Sequence, residues 1–241
     1  GKLALTACES VDIKVPADAE MVFEGFIDHE EAREGPFTDL LGMYDLARNQ
    51  PVVELVGVLR RKSCMYQALL PGGSEHGLLM GFGRELNIWD AARRIVPSVK
   101  AVNLTRGGRG WLHAVISIKK RKEEDAKHVI KSAFSSHPSL KHVVVVDDDI
   151  DVFNLEEVEW AIATRFQASR GLITLKNVRG STIDPSGEDG ITDKMGIDAT
   201  KPLHKPSWMF EKATIPENDR LKTLLKKLKK RRRKIHGFPQ P

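Results

Sequence analysis

A chain of 241 residues, 41% hydrophobic and 29% charged, is long enough to bury one large core or two smaller ones. No apolar run approaches the roughly 20 residues that a helical bilayer span needs, which argues against an integral membrane protein. The net charge of +5 hides an asymmetry: ten Lys and Arg residues from Arg220 onward meet no Asp or Glu, and subtracting them leaves −5 for residues 1–219. An acidic body with a basic tail is not the pattern of a general nucleic-acid binder.

GKLALTACES has neither the basic lead nor the apolar stretch of a secretory signal, and a chain that opens on Gly1 is expected to have more sequence upstream. Cys8 and Cys64 are far apart and lack a second ligand at metal spacing, so they read as free thiols of a reducing, cytoplasmic compartment.

Val11, Ile13, Val15, Met21 and Phe23 alternate with polar residues across VDIKVPADAEMVFEGFI, residues 11–27. That period predicts strand, broken by a Pro-Ala-Asp turn. EGPFTD, residues 34–39, cannot be helix interior, since Pro36 has no N–H to give and Gly35 costs backbone entropy. PVVELVGVLRR at 51–61 reads as strand, residues 63–70 as another, and Pro71-Gly72-Gly73 as a turn. ELNIWDAARRI at 85–95 predicts a helix, Gly107-Gly108 a turn, and HAVISIKK at 113–120 a further strand. Residues 1–120 therefore read as a mostly antiparallel β unit.

The pattern changes near residue 121. In EEDAKHVIKSAFSSHPSL the apolar residues Ala126, Val129, Ile130, Ala133 and Phe134 share one helical face. HVVVVDDDID at 142–151 predicts a strand buried on both sides. Asn154 opens a second helix with Glu157 three residues on, a variant of the capping box. LITL at 172–175 completes a helix–strand alternation that predicts a parallel sheet. Residues 180–219, rich in Gly, Asp, Pro and Thr, read as a long functional loop. In the basic tail, residues 220–241, Leu221, Leu224, Leu225 and Leu228 form one helical stripe that suits docking on a neighbouring subunit.

Glu34 and Asp39 are acid/base candidates, because two carboxylates held close by a rigid turn favour keeping one of them protonated. The competing reading is a solvated surface turn. Asp147, Asp148, Asp149 and Asp151 lie at the carboxyl end of a predicted strand, where they either cap the next helix or meet a ligand. Lys194, a lone cation in the long loop, suits a phosphate. His76, Arg106 and Arg109 occupy turns and read as surface residues.

EGFI at 24–27, EGPFTD, HAVISI, VVVVDDDID, WAIATRF and DKMGIDAT occur in an order that resembles the UbiD family, from about Val11 to about Lys201. This is the family of 3-octaprenyl-4-hydroxybenzoate carboxy-lyase and of ferulic acid decarboxylase. The resemblance implies a mixed α/β fold: part of a split β-barrel, flavin reductase-like, over residues 1–120, then an α/β/α oligomerisation domain over 121–219. It implies decarboxylation of an unsaturated or aromatic carboxylic acid with prenylated FMN, in which the acids of an EGPxx(D/E) element take part. Glu34 matches the first acid and Asp39 the second, the proton donor. Lys194 matches a lysine near the cofactor phosphate.

The family's catalytic Arg and its ligands for Mn2+ or Mg2+, with K+ a further cation, lie upstream of Gly1. This chain is accordingly expected to be a fragment or split subunit, inactive alone, that pairs with an N-terminal half and forms homo-oligomers. A polyprenylated hydroxybenzoate, another quinone precursor and anhydromevalonate phosphate all fit as substrate. Thr38, where the family usually has Gly, favours a branch apart from the aromatic-acid enzymes. A non-catalytic assembly subunit is the alternative reading.

Overall fold

In the computed structural model, which describes residues 3–213 together with 218, 220, 221, 223, 224 and 227, the N-terminal part is built from two ribbons. β1 (Leu5–Ala7) pairs antiparallel with β2 (Lys14–Pro16), and β3 (Met21–Glu34) with β4 (Arg48–Arg60). The expected Pro-Ala-Asp turn joins β2 to β3. Glu24 ties the ribbons together: its carboxylate, on a residue only 2% exposed, accepts the backbone N–H groups of Glu9, Ser10 and Val11. Those donations, Glu9 first, hold its carboxyl below the ordinary carboxylate range.

Along the β3–β4 ribbon Phe23 stands opposite Val58, Gly25 opposite Leu55 and Ile27 opposite Val53, so these residues share a face. Each of the five side chains on it is more than half exposed. Among the described residues the ribbon is two-stranded and no barrel closes. Residues 64–70, read as strand, carry no regular structure; with no neighbouring ladder to pair with, alternation alone does not make a strand.

α1 (Ser74–Ile95) begins well before the periodic stretch at 85–95, because Gly77, Gly81 and Gly83 mask the helical signal of its first half. It leads into a five-stranded sheet made of β5 (Val99–Leu104), β6 (His113–Ile118), β7 (His142–Asp147), β8 (Leu172–Arg179) and β9 (Ile191–Ala199). The order is β5-β6-β7-β9-β8, with β6, β7 and β9 parallel and the two edge strands antiparallel to their neighbours. β6, read with the N-terminal β unit, is thus hydrogen-bonded to β7, since the alternation of a strand does not say which sheet it joins.

The parallel partner of β7 is β9, inside the segment read as a loop, whereas LITL belongs to the antiparallel edge strand β8. Composition hid β9: ITDKMGIDA alternates exposed and buried residues, but the inward positions hold Thr192, Lys194 and Gly196. Gly196 is there because a Cβ would meet Ile130 Cγ2 at 2.4 Å.

α2 (Asp125–Ser136), α3 (Leu155–Arg165) and the single turn α4 (Ala168–Gly171) complete the domain. Successive residues of β6 and β7 point to opposite faces and are buried on both. Ala114, Ile116, Ile118, Val143 and Val145 join Ile88 and Ala92 of α1 and Ala126, Val129, Ile130, Ala133 and Phe134 of α2. Val115, Val144 and Val146 join Val158 and Ala161 of α3 on the other side. Helices thus cover both faces of a mixed sheet that draws on residues before 121 as well as after it, and each fully buried Val or Ile contributes about 1.5–3 kcal/mol of transfer free energy.

The chain divides after Leu203. In the second unit Ser207–Phe210 form a 3-10 turn, and the described tail residues 220, 221, 223, 224 and 227 are helical, with Asn218 Oδ1 accepting the Leu221 N–H at 2.9 Å. Leu225, Leu228 and the basic run 229–234 lie outside the described residues. Among the described residues no helix is long and apolar enough to cross a membrane.

Candidate active site

Glu34 closes β3 opposite Arg48, the first residue of β4. The Gly35-Pro36 peptide after it is cis, and Gly35 has φ 90°. The chain returns through a small hairpin in which Asp45 N–H donates to Phe37 O at 2.9 Å, Thr38 bridges Tyr44, and Asp39 N–H donates to Met43 O at 3.0 Å. Gly42 N–H closes the tip onto Asp39 O at 2.7 Å. Leu40, 3% exposed, roots the hairpin, and an Asp45–Arg48 ion pair ties it to β4.

The two acids do not share an environment. Glu34 is exposed, while Asp39 is half-buried and accepts the Leu40 N–H at 2.6 Å through Oδ1. A half-buried carboxyl on a braced turn beside an exposed one can keep its direction toward a bound molecule, which a solvated surface turn does not require.

Lys194 is not in a loop. It sits in β9, 3% exposed, with Nζ donating to Pro138 O and lying 5.4 Å from the Phe134 ring, and burial lowers its pKa. The Asp cluster is neither a helix cap nor an open ligand site. Arg165, read only as part of a helix, inserts its guanidinium between Asp147 and Asp149 at 2.8 Å from each, and Lys201 Nζ reaches Asp149 at 3.0 Å. Burial pushes the Asp147 carboxyl up, offset in part by the Lys201 N–H and Arg165. For Asp149, burial opposes ionisation, but hydrogen bonds from Arg165 and Lys201 win and bring it to about 2. A run of acids at the end of a fully buried strand was the signal that a buried cation had to exist. Asn154 caps α3 as expected, accepting the Glu156 N–H, whereas Glu157 accepts from Asp151 N–H instead of closing a capping box.

At the opposite end of these strands His113 and His142 face each other across β6 and β7, ring centroids 5.9 Å apart. His137 Nε2 donates to Trp111 O at 3.1 Å. Burial, with the neighbouring His142 second, takes His113 down to about 4, and burial outweighs the Trp111 hydrogen bond to take His137 to about 4 as well. Both values lie below the unfolded 6.5, so the unfolded chain binds more protons between the two. The stability these histidines contribute is complete above pH 6.5 and is lost as pH falls through 4. The denaturant midpoint is expected to drop as pH falls across that window; a flat profile would contradict it. Among the described residues no group of three His, Cys, Asp or Glu side chains is placed to hold a metal ion, and Cys8 and Cys64 are free thiols.

The fold is a mixed-sheet α/β domain preceded by a two-stranded ribbon that ends at Glu34, and comparison with known proteins says which class of chain has it. Residues 1–74 match the 3-octaprenyl-4-hydroxybenzoate carboxy-lyase Rift-related domain and residues 77–199 the C-terminal domain of the same enzymes, the two meeting at the start of α1. The chain belongs to the UbiD family. It is 50% identical over 202 residues to the anhydromevalonate phosphate decarboxylase of Aeropyrum pernix, covering 84% of this chain and 46% of that protein. The Methanothermobacter thermautotrophicus enzyme of the same name is 50% identical over 205 residues, covering 84% and 48%. Among solved structures, the UbiD-class enzyme HmfF from Pelotomaculum thermopropionicum in complex with FMN superposes with a TM-score of 0.84 at 47% identity, covering 90% of this chain and 49% of that one. The chain spans about half the length of the curated relatives it matches.

Proposed function

We propose that this chain supplies the acid pair of a UbiD-type decarboxylase acting on a phosphorylated, unsaturated aliphatic acid of the anhydromevalonate phosphate kind. The observation that carries the reading is the EGPFTD element, with Asp39 half-buried on a hairpin braced by backbone hydrogen bonds. The identity to the two archaeal enzymes supports the aliphatic substrate over an aromatic one.

In this reading the bond between the substrate carbon and its carboxyl group breaks, CO2 leaves, and Asp39 delivers its proton to that carbon. Water then restores the Asp39 proton. Glu34, exposed at the end of β3, is the second acid of the pair. Prenylated FMN, when bound, supplies the electron sink; the family and the FMN complex of HmfF support that dependence. Among the described side chains, Lys194 is the one that the family resemblance offers for its phosphate. Lys194 is committed to Pro138 O, which favours a structural role over contact with a cofactor phosphate, and no described metal cluster is available to bridge one. The exposed apolar face of the β3–β4 ribbon supports reading it as two strands of a split barrel, because an isolated two-stranded ribbon leaves such a face in water. Homo-oligomerisation and a cytoplasmic location belong to the same reading.

CO2 release by the native enzyme loaded with prenylated FMN tests it. Turnover is expected with anhydromevalonate phosphate and not with 4-hydroxybenzoate. A preference for the aromatic acid, or no CO2 from either, would overturn it.

A further inference from the structure

We infer that Arg109 is a positioning residue for Asp39, its guanidinium holding the hairpin tip that carries the acid against the Gly72 turn. The inference rests on the assignment of Asp39 above and adds what holds it in place. Asp39–Gly42 forms the tip, and the backbone of Gly72 lies directly against it. Gly72 has φ 72°, and a Cβ on it would lie 2.7 Å from Gly42 Cα and 3.0 Å from Asp39 O. No Cβ fits at Gly72, so the two turns meet backbone to backbone.

Arg109 spans both. Its Nη1 donates to Gly72 O at 3.2 Å, and its Nη2 is the atom nearest to where a Gly42 Cβ would stand, at 3.1 Å. From the other side His76 Nδ1 accepts the Gly72 N–H at 3.2 Å. A planar fork of fixed donors can lie along two adjacent turns at once, which the single ammonium of lysine cannot.

The guanidinium is useful as a clamp only if its own backbone is fixed, and it is. Arg109 has φ 57°, a left-handed conformation that side chains other than Gly rarely adopt. Its N–H donates to Arg106 O and the next N–H, of Gly110, to Thr105 O, each at 3.0 Å. The loop from β5 to β6 then packs on the first half of α1. A Cβ on Gly77 would lie 3.0 Å from Arg109 O, and one on Gly81 2.7 Å from Gly110 O. This is also why the start of α1 carries glycines that weaken it as a helix. The contacts run without a break from the five-stranded sheet, through the 105–110 loop and Arg109, to the turn that presents Asp39.

Hydrogen exchange of the Asp39 and Gly42 amides, read together with kcat and KM of the loaded enzyme, tests the clamp in Arg109→Ala, Arg109→Lys and Asp39→Asn. Arg109→Ala is expected to speed exchange of those two amides while amides of β6 and β7 stay protected. It should also lower kcat by about 10- to 100-fold with little change in KM, the cost of a displaced group away from the reacting bond. Arg109→Lys should resemble it, since charge without the fork does not span both turns. Unchanged exchange at Asp39 and Gly42, or exchange raised equally throughout the sheet, overturns the inference, as does a lysine variant that behaves like the parent. If Asp39→Asn leaves turnover intact while Arg109→Ala frees the amides, the acid assignment fails and the clamp stands only as a brace of the hairpin.

Discussion

Asp39→Asn is expected to remove decarboxylation from the enzyme while leaving its fold and its affinity for cofactor in place. The amide has the same shape, and its Oδ1 still accepts the Leu40 N–H that Asp39 accepts now. The hairpin hydrogen bonds from Asp39 N–H to Met43 O and from Gly42 N–H to Asp39 O are backbone bonds that the substitution does not touch. What changes is the proton. An amide cannot act as an acid near neutral pH, and loss of a positioned acid lowers turnover by about 10^2- to 10^4-fold. CO2 release measured beside cofactor absorbance on the purified variant separates the two properties. Turnover within a few-fold of the parent would mean that the proton reaches the substrate from elsewhere.

Arg165→Met should be the most damaging single change to stability. The Arg165 side chain is 1% exposed and Asp147 beside it 7%, so removing the guanidinium leaves a buried carboxylate facing a thioether. Deleting one partner of such a pair costs about 3–5 kcal/mol, more than most substitutions in a domain core. Asp149 is 41% exposed and keeps Lys201 at 3.0 Å, so it can relax toward water; Asp147 cannot. The denaturant midpoint reports the loss, and replacing Asp147 by Asn in the same chain should recover part of it. A destabilisation below 1 kcal/mol would show that the network adds nothing beyond the packing of its aliphatic stems.

How far the sequence was legible depended on which force sets each element. α2 and β7 were plain, because their signal is burial: Ala126, Val129, Ile130, Ala133 and Phe134 on one helical face, and a β-branched run with both sides covered. β9 was not, because its inward positions satisfy specific neighbours instead of a general demand for apolar volume. Lys194 meets the Pro138 carbonyl there, and Gly196 makes room for Ile130. The same cause hid the first half of α1, whose Gly77 and Gly81 serve the approaching loop. At the candidate site, the Gly-Pro spacing singled out Glu34 and Asp39 as candidates, but Arg109 looked like any exposed arginine in a glycine-rich turn. Its contacts are to backbone atoms of residues distant in sequence, and no local pattern records them.

The position of β9 bears on how the domain is made. It enters between β7 and β8, yet it is the last of the five strands to leave the ribosome. A nascent chain that has reached Arg179 holds β7 with one ladder side bare and β8 without its neighbour, and neither can be completed by anything already synthesised. The sheet can therefore be completed only late, by the segment least recognisable as a strand.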